Sequence, residues 1–178
     1  MQFFFVNYTI KMNYKEGKVQ KMITILRYVI LTAILIPIIF IDIKKHIIPN
    51  SLNLIGAVAA IILIFFDKAN CMNFVWGAVF GLGLFIGIIL ASEFILKKQG
   101  MGEGDAKLMG VIGLFLGLPN TILTAFLSFI LGSIYGIIAM ALNKLKPGQE
   151  MAFGPFIAIG AMIAMLCGDY IISWYLNF

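Results

Sequence analysis

Six long apolar runs, each broken by a short cluster of charged or turn-forming residues, set the plan of this chain. They cover about Ile23 to Ile41, Leu52 to Phe66, Met72 to Leu96, Ala106 to Leu118, Thr121 to Leu142 and Phe153 to Tyr175. An apolar helix of roughly 20 residues crosses the hydrocarbon of a bilayer. The pattern therefore predicts an all-α, polytopic membrane protein with about six transmembrane helices. The fourth run is short, about 20 Å of helix. Either it begins inside the membrane plane or the bilayer is thinned there. Non-helical backbone at that depth is tolerated only where it is buried in protein or lines a wet cavity.

The breaks carry the local signals. After the first run comes Asp42-Ile-Lys-Lys-His-Ile-Ile-Pro-Asn-Ser. Pro49 biases Ile48 towards extended backbone, and Asn50 or Ser51 is placed to cap the next helix. Asp67-Lys-Ala-Asn and Pro119-Asn120 make two further turns. Glycine pairs Gly77/Gly81, Gly83/Gly87 and Gly132/Gly136 are spaced for close helix approach in lipid. Gly110, Gly113 and Gly117 share one helix face. Residues 1–22 read as an N-terminal tail and 23–178 as a single membrane-embedded domain. A cleaved secretory signal fits poorly, because the first run is long for one and no small-x-small site follows.

Composition agrees with the pattern. Hydrophobic residues make up 62% of the 178 residues and charged residues 12%, against about 25% charged in soluble domains. Mean hydropathy is +1.03. The net charge of +5 comes from lysines between runs, which points to membrane topology rather than nucleic-acid binding. Cys71 and Cys167 form no CxxC, and His46 is the lone histidine. No metal site and no cofactor is expected.

Lysines also assign the sides. The loops after the first, third and fifth runs hold Lys44, Lys45, Lys97, Lys98, Lys107, Lys144 and Lys146; the opposite loops hold only Lys68. The first set is expected in the cytoplasm. The tail, with Lys11, Lys15, Lys18 and Lys21, disagrees. A natural start at Met22 rather than Met1 would remove the conflict.

Two carboxylates stand at cytoplasmic ends of spans, Asp42 and Asp105. Acids at the edge of a span are functional candidates. If they lie close together they cannot both ionise cheaply and share a proton, so that one activates water while the other protonates the scissile carbonyl oxygen or leaving amine. Taken singly, Asp42 also reads as an interfacial helix-end residue and Asp105 as a helix N-terminal acid. The Gly-x-Gly-x-Gly run before Asp105 lacks the lysine and hydroxyl of a phosphate loop.

The segment Gly100-Met-Gly-Glu-Gly-Asp-Ala-Lys-Leu resembles the GxGD signature of intramembrane aspartic proteases and, within them, the type IV prepilin peptidases. So do Ile41-Asp42 with Ile48-Pro49-Asn50 and Leu52, and Phe153-Gly154-Pro155-Phe156 with Ala158 and Gly160. The resemblance implies that Asp42 and Asp105 are the catalytic pair, with Gly102, Gly104, Lys107, Pro49, Asn50, Gly154 and Pro155 supporting them. It implies cleavage, at the cytoplasmic face of the cell membrane, of basic leaders from prepilins or pilin-like proteins embedded in the bilayer. Longer members carry a cysteine-bearing N-terminal domain and methylate the new N-terminus; no paired cysteines occur here, so N-methyltransferase activity is not expected. Archaeal preflagellin peptidases are the nearest alternative. From another class, a small transporter or channel would use Asp42 and Asp105 as coupling carboxylates, and a membrane scaffold would not need them. Glu93 and Glu103 read as interfacial or solvated, and Asp169 as lying towards the outer surface. The sequence does not set the oligomeric state.

Overall fold

A computed structural model describes residues 2–67, 70–97, 101–144 and 151–176. They form α1 (Gln2–Lys45), α2 (Asn50–Phe65), α3 (Cys71–Leu96), α4 (Glu103–Ala141) and α5 (Gly154–Leu176), with no strand among the described residues. α1 is continuous from the tail into the first apolar run. It ends where His46 takes a left-handed conformation, φ +52°.

α4 is broken once. Gly117 has φ +75° and ψ 172°, a conformation in essence reserved for glycine. The break divides α4 into arms 103–116 and 118–141, so the six apolar runs correspond to six helical segments. The reversal falls at Gly117, ahead of the expected Pro119-Asn120 turn; Pro119 lies in the first turn of the second arm, where its missing N–H costs nothing. The Asn73 side chain takes up the backbone group freed nearby, its Oδ1 accepting from the Leu118 N–H at 3.1 Å.

Neighbours show that the arms double back. A Cβ placed on Gly81 would stand 2.6 Å from the Met109 carbonyl oxygen in the first arm and 3.3 Å from Thr121 Cγ2 in the second. Phe85 stacks on Phe129 at 5.5 Å. α3 therefore runs antiparallel to the first arm and parallel to the second. Gly77 and Gly113 bring the two backbones into direct contact, the close approach expected of small residues in lipid. Gly83, Gly87 and Gly136 do not pack this way: no atom lies within 4 Å of where their Cβ would be. Spacing alone marked all these pairs, but the period of each helix turns only some towards a partner.

α5 lies antiparallel to the second arm, with Gly168 against Asn120 and Gly160 against Ser128. The buried hydroxyls of Thr121, Thr124 and Ser128 donate to carbonyls four residues earlier, at 2.6, 2.7 and 2.6 Å. No donor of these three is left unpaired in the apolar interior. α1 and α2 are clasped at the opposite end from Asp42. There Arg27 pairs with Asp67 at 3.4 Å, donates to the Leu63 carbonyl at 3.3 Å, and lies 3.8 Å over the Phe74 ring.

The first arm of α4 is the pillar of the molecule. From residue 105 to 117 every position is buried except Lys107 and Leu114. α1, α2, α3, α5 and the second arm stand around it. Their outward faces carry large exposed apolar side chains such as Phe94, Phe65 and Leu166, a surface suited to lipid. Three stretches, Gly17–Lys45, Cys71–Ile95 and Glu103–Ala141, are long and apolar enough to cross a membrane, with Asn50–Phe65 and Gly154–Gly168 as shorter apolar helices. The protein is a multi-pass membrane protein.

Candidate active site

The turn between α1 and α2, the start of α4 and the start of α5 meet at one end of the bundle. Ile48 is the hub. A Cβ on Gly104 would lie 2.9 Å from Ile48 Cβ, and one on Gly154 would lie 3.2 Å from Ile48 Cδ1. Pro49, φ −62° and ψ 125°, fixes this crossing. Its carbonyl accepts from the Leu52 and Asn53 N–H groups at 3.1 and 3.4 Å. α2 thus begins from Pro49. The expected side-chain cap from Asn50 or Ser51 is not formed, because Asn50 Oδ1 faces Lys107 Nζ at 3.3 Å instead.

Asp42 sits one turn before the end of α1 and is 4% exposed; Asp105 sits in the first turn of α4 and is 7% exposed. Both stand around Ile48, which packs on Gly104 beside Asp105 and on Gly154, whose N–H meets Asp42. Asp42 Oδ2 accepts the Gly154 backbone N–H at 2.9 Å. That N–H belongs to the first turn of α5, where backbone donors are free and the helix dipole favours an anion. A Cβ on Gly154 would stand 2.7 Å from Asp42 Oδ2, so the glycine lets the helix end approach the acid. Pro155 follows in the same turn. Phe153 anchors the helix start from behind, in ring contact with Phe85 at 6.2 Å and Phe129 at 5.6 Å.

Gly102 is the N-cap of α4 and its carbonyl accepts from the Asp105 N–H at 3.1 Å. The Asp105 carboxylate lies beside Gly102, its Oδ2 3.3 Å from where a Cβ there would stand. Gly104 turns a bare edge to Ile48. Lys107 is half exposed, with Glu103 Oε2 at 3.6 Å as well as Asn50; it lies at the rim, away from the two acids.

The structure brings Asp42, Asp105, Gly102, Gly104, Pro49, Gly154 and Pro155 to one place, with Lys107 and Asn50 beside it. Glu93 is exposed on α3. Asp169 follows Gly168 at the far end of α5, and its side chain lies outside the described residues. Gly100 and Lys98 also fall outside them. Ile48 stood in the sequence reading only as part of the Ile48-Pro49-Asn50 stretch, with no role of its own, and Asn53 escaped that reading. Asn53 is 5% exposed and donates through Nδ2 to the Gly104 carbonyl at 3.4 Å; its signal was an amide one turn after Asn50 on an otherwise apolar helix. Among the described residues no cluster of histidine, cysteine and acid side chains could hold a metal ion.

Two buried carboxylates at one end of the bundle can move a proton onto and off a reacting carbonyl. The chain is 32% identical over 150 residues to the prepilin leader peptidase/N-methyltransferase of Stutzerimonas stutzeri, covering 84% of this chain and 52% of that protein. It is 34% identical over 149 residues to the protein of the same name from Legionella pneumophila, covering 82% and 51%. To that of Bacillus subtilis it is 39% identical over 101 residues, covering 57% and 39%. The chain spans about half the length of the first of these relatives. No solved structure matches. The type IV leader peptidase family matches residues 29–137, a stretch that holds both aspartates and more than half of the chain, and the chain belongs to that family.

Proposed function

We propose that this protein is a membrane aspartic endopeptidase that removes the basic leader from prepilins or pilin-like proteins, with Asp42 and Asp105 as its catalytic pair. The observation that carries the reading is the convergence of two buried carboxylates at one end of the bundle, one of them held by a helix N-terminus. The Gly154 N–H holds Asp42 in place, and Asp42 takes a proton from the attacking water. Asp105 supplies the proton to the scissile carbonyl oxygen. The tetrahedral intermediate then collapses as Asp42 passes its proton to the leaving amine and the reforming carbonyl returns a proton to Asp105. The two groups act as one titrating unit.

The exposed residues Lys44, Lys45, Lys97, Lys107 and Lys144 lie on the loops and helix ends of this side, which supports a cytoplasmic active site in the cell membrane. A leader rich in positive charge would then stay in the cytoplasm while its helix lies in the bilayer.

The test is cleavage of a prepilin with a basic leader and a Gly-Phe junction by the purified protein in detergent, read by mass. Cleavage at the junction, lost in Asp42→Asn and in Asp105→Asn, is the expected result. Survival of cleavage in either variant removes the pair, and no cleavage of several prepilins removes the peptidase reading.

A further inference from the structure

The ring of helices around the central arm is open in one place. α1 packs on α2 and α5, and the second arm of α4 packs on α3 and α5, but α2 and α3 barely touch. Between α2 and α3 lies a groove of about 450 Å³ floored by the central arm. The two residues between positions 105 and 117 that escape burial, Lys107 and Leu114, both line it. Its walls are apolar and include small residues, Ala57 on α2 and Ala78 on α3.

At the end nearest the aspartates the groove turns polar, with Asn50, Asn53 and Lys107. Asn53 decides what fits. The Gly104 carbonyl can only accept, so the Asn53 amide must present its NH₂ there. Its Oδ1 is then left buried with no donor among the described residues. A lipid acyl chain would fill the groove but bring no donor. A helix brings several, because the first N–H groups of any helix have no partner within it.

We propose that the α2–α3 opening receives the apolar helix that follows the leader of the substrate. Asn53 Oδ1 accepts a free N–H from that helix's first turn. The residues before the helix cross the start of α4 to reach Asp105. Helical spacing puts Asp105 on nearly the opposite face of the arm from Lys107 and Leu114, so the junction must pass exposed Gly102, which offers no side chain in its way. Asn53 Oδ1 is covered in the free protein, and its side chain turns to meet the incoming donor. The assignment rests on the peptidase reading and adds to it where the substrate lies.

The test places a photo-reactive amino acid at Leu54, a groove residue that is 66% exposed, or at Leu166 on α5, which is 83% exposed. Both are made in an Asp105→Asn background, in phosphatidylethanolamine/phosphatidylglycerol vesicles, with a polypeptide of basic leader, junction and apolar helix. Cross-linking to the helix at Leu54, at least about tenfold above Leu166, is expected. In parallel, Asn53→Leu in the active protein should raise KM for this substrate roughly three- to tenfold, the weight of one hydrogen bond. Any slowing from the lost Gly104 contact should appear equally in cleavage of a short peptide lacking the helix, without the rise in KM. If the unsubstituted protein cleaves the substrate but Leu54 labels no more than Leu166, the groove is not the docking site. An equal change in KM for both substrates in Asn53→Leu overturns the role of Asn53. If the unsubstituted protein does not cleave at all, the peptidase reading falls and the docking assignment falls with it.

Discussion

The Asp42 carboxylate is held by a backbone donor, not by a side chain, and this makes the site testable one atom at a time. In Asp42→Asn the amide oxygen can still accept the Gly154 N–H, so the fold survives while the proton acceptor is gone. Cleavage should fall by roughly 10²- to 10⁴-fold with an unchanged unfolding temperature in detergent. Gly154→Ala is subtler. The new methyl would meet Asp42 Oδ2 at 2.7 Å and push the acid off the helix end. Single-turnover cleavage should slow by about tenfold or more, more than any change in substrate affinity. The role of this glycine could not be read from the Phe-Gly-Pro-Phe block as such, because nothing in the chain order says that residue 154 faces residue 42.

Among the elements, α4 and the α1–α2 pair carry the most strain-sensitive features. Gly117→Ala combines a positive φ with a Cβ that would stand 2.6 Å from Asn73 Nδ2. The backbone alone should cost about 1–3 kcal/mol, read as a lowered midpoint of unfolding in detergent. The buried Arg27–Asp67 pair should respond unequally to different changes. Asp67→Asn leaves a buried guanidinium without its counter-charge and should cost roughly 3–5 kcal/mol. Arg27→Met with Asp67→Leu removes both charges and should cost much less. Similar losses in the single and double variants would show that packing on Phe74, not charge, holds this end. In the sequence Arg27 is a single arginine within the first apolar run; its partner is 40 positions away, across a whole α-hairpin.

At the scale of the molecule, the central arm explains why the fourth run is short. A helix surrounded by other helices does not need to reach both lipid faces, and its apolar residues meet protein almost throughout. The same arrangement puts the ends of the charged loops on one side. Cysteine labelling should report it. With Cys71 and Cys167 replaced by serine, His46→Cys near Asp42 should react only from the cytoplasmic side. Asn70→Cys, at the far end of the bundle, should react only from outside. The opposite pattern would invert the proposed topology.

The chain by itself determined the helical class, the number of segments and the candidacy of the two aspartates. These depend on local facts: the length of apolar runs, the residues that break them, and motif residues that stand close together in order. It misplaced the reversal by two residues, because Pro119 is the louder signal and the conformation of Gly117 is set by α3 packed beside it. It could not separate the glycine pairs that pack from those that face lipid, since both have the same spacing. Only the tertiary structure decided which backbone N–H meets Asp42, which arm stands at the centre, and where the ring is left open. Those are relations between segments far apart in sequence, and they exist only once the helices have chosen their neighbours.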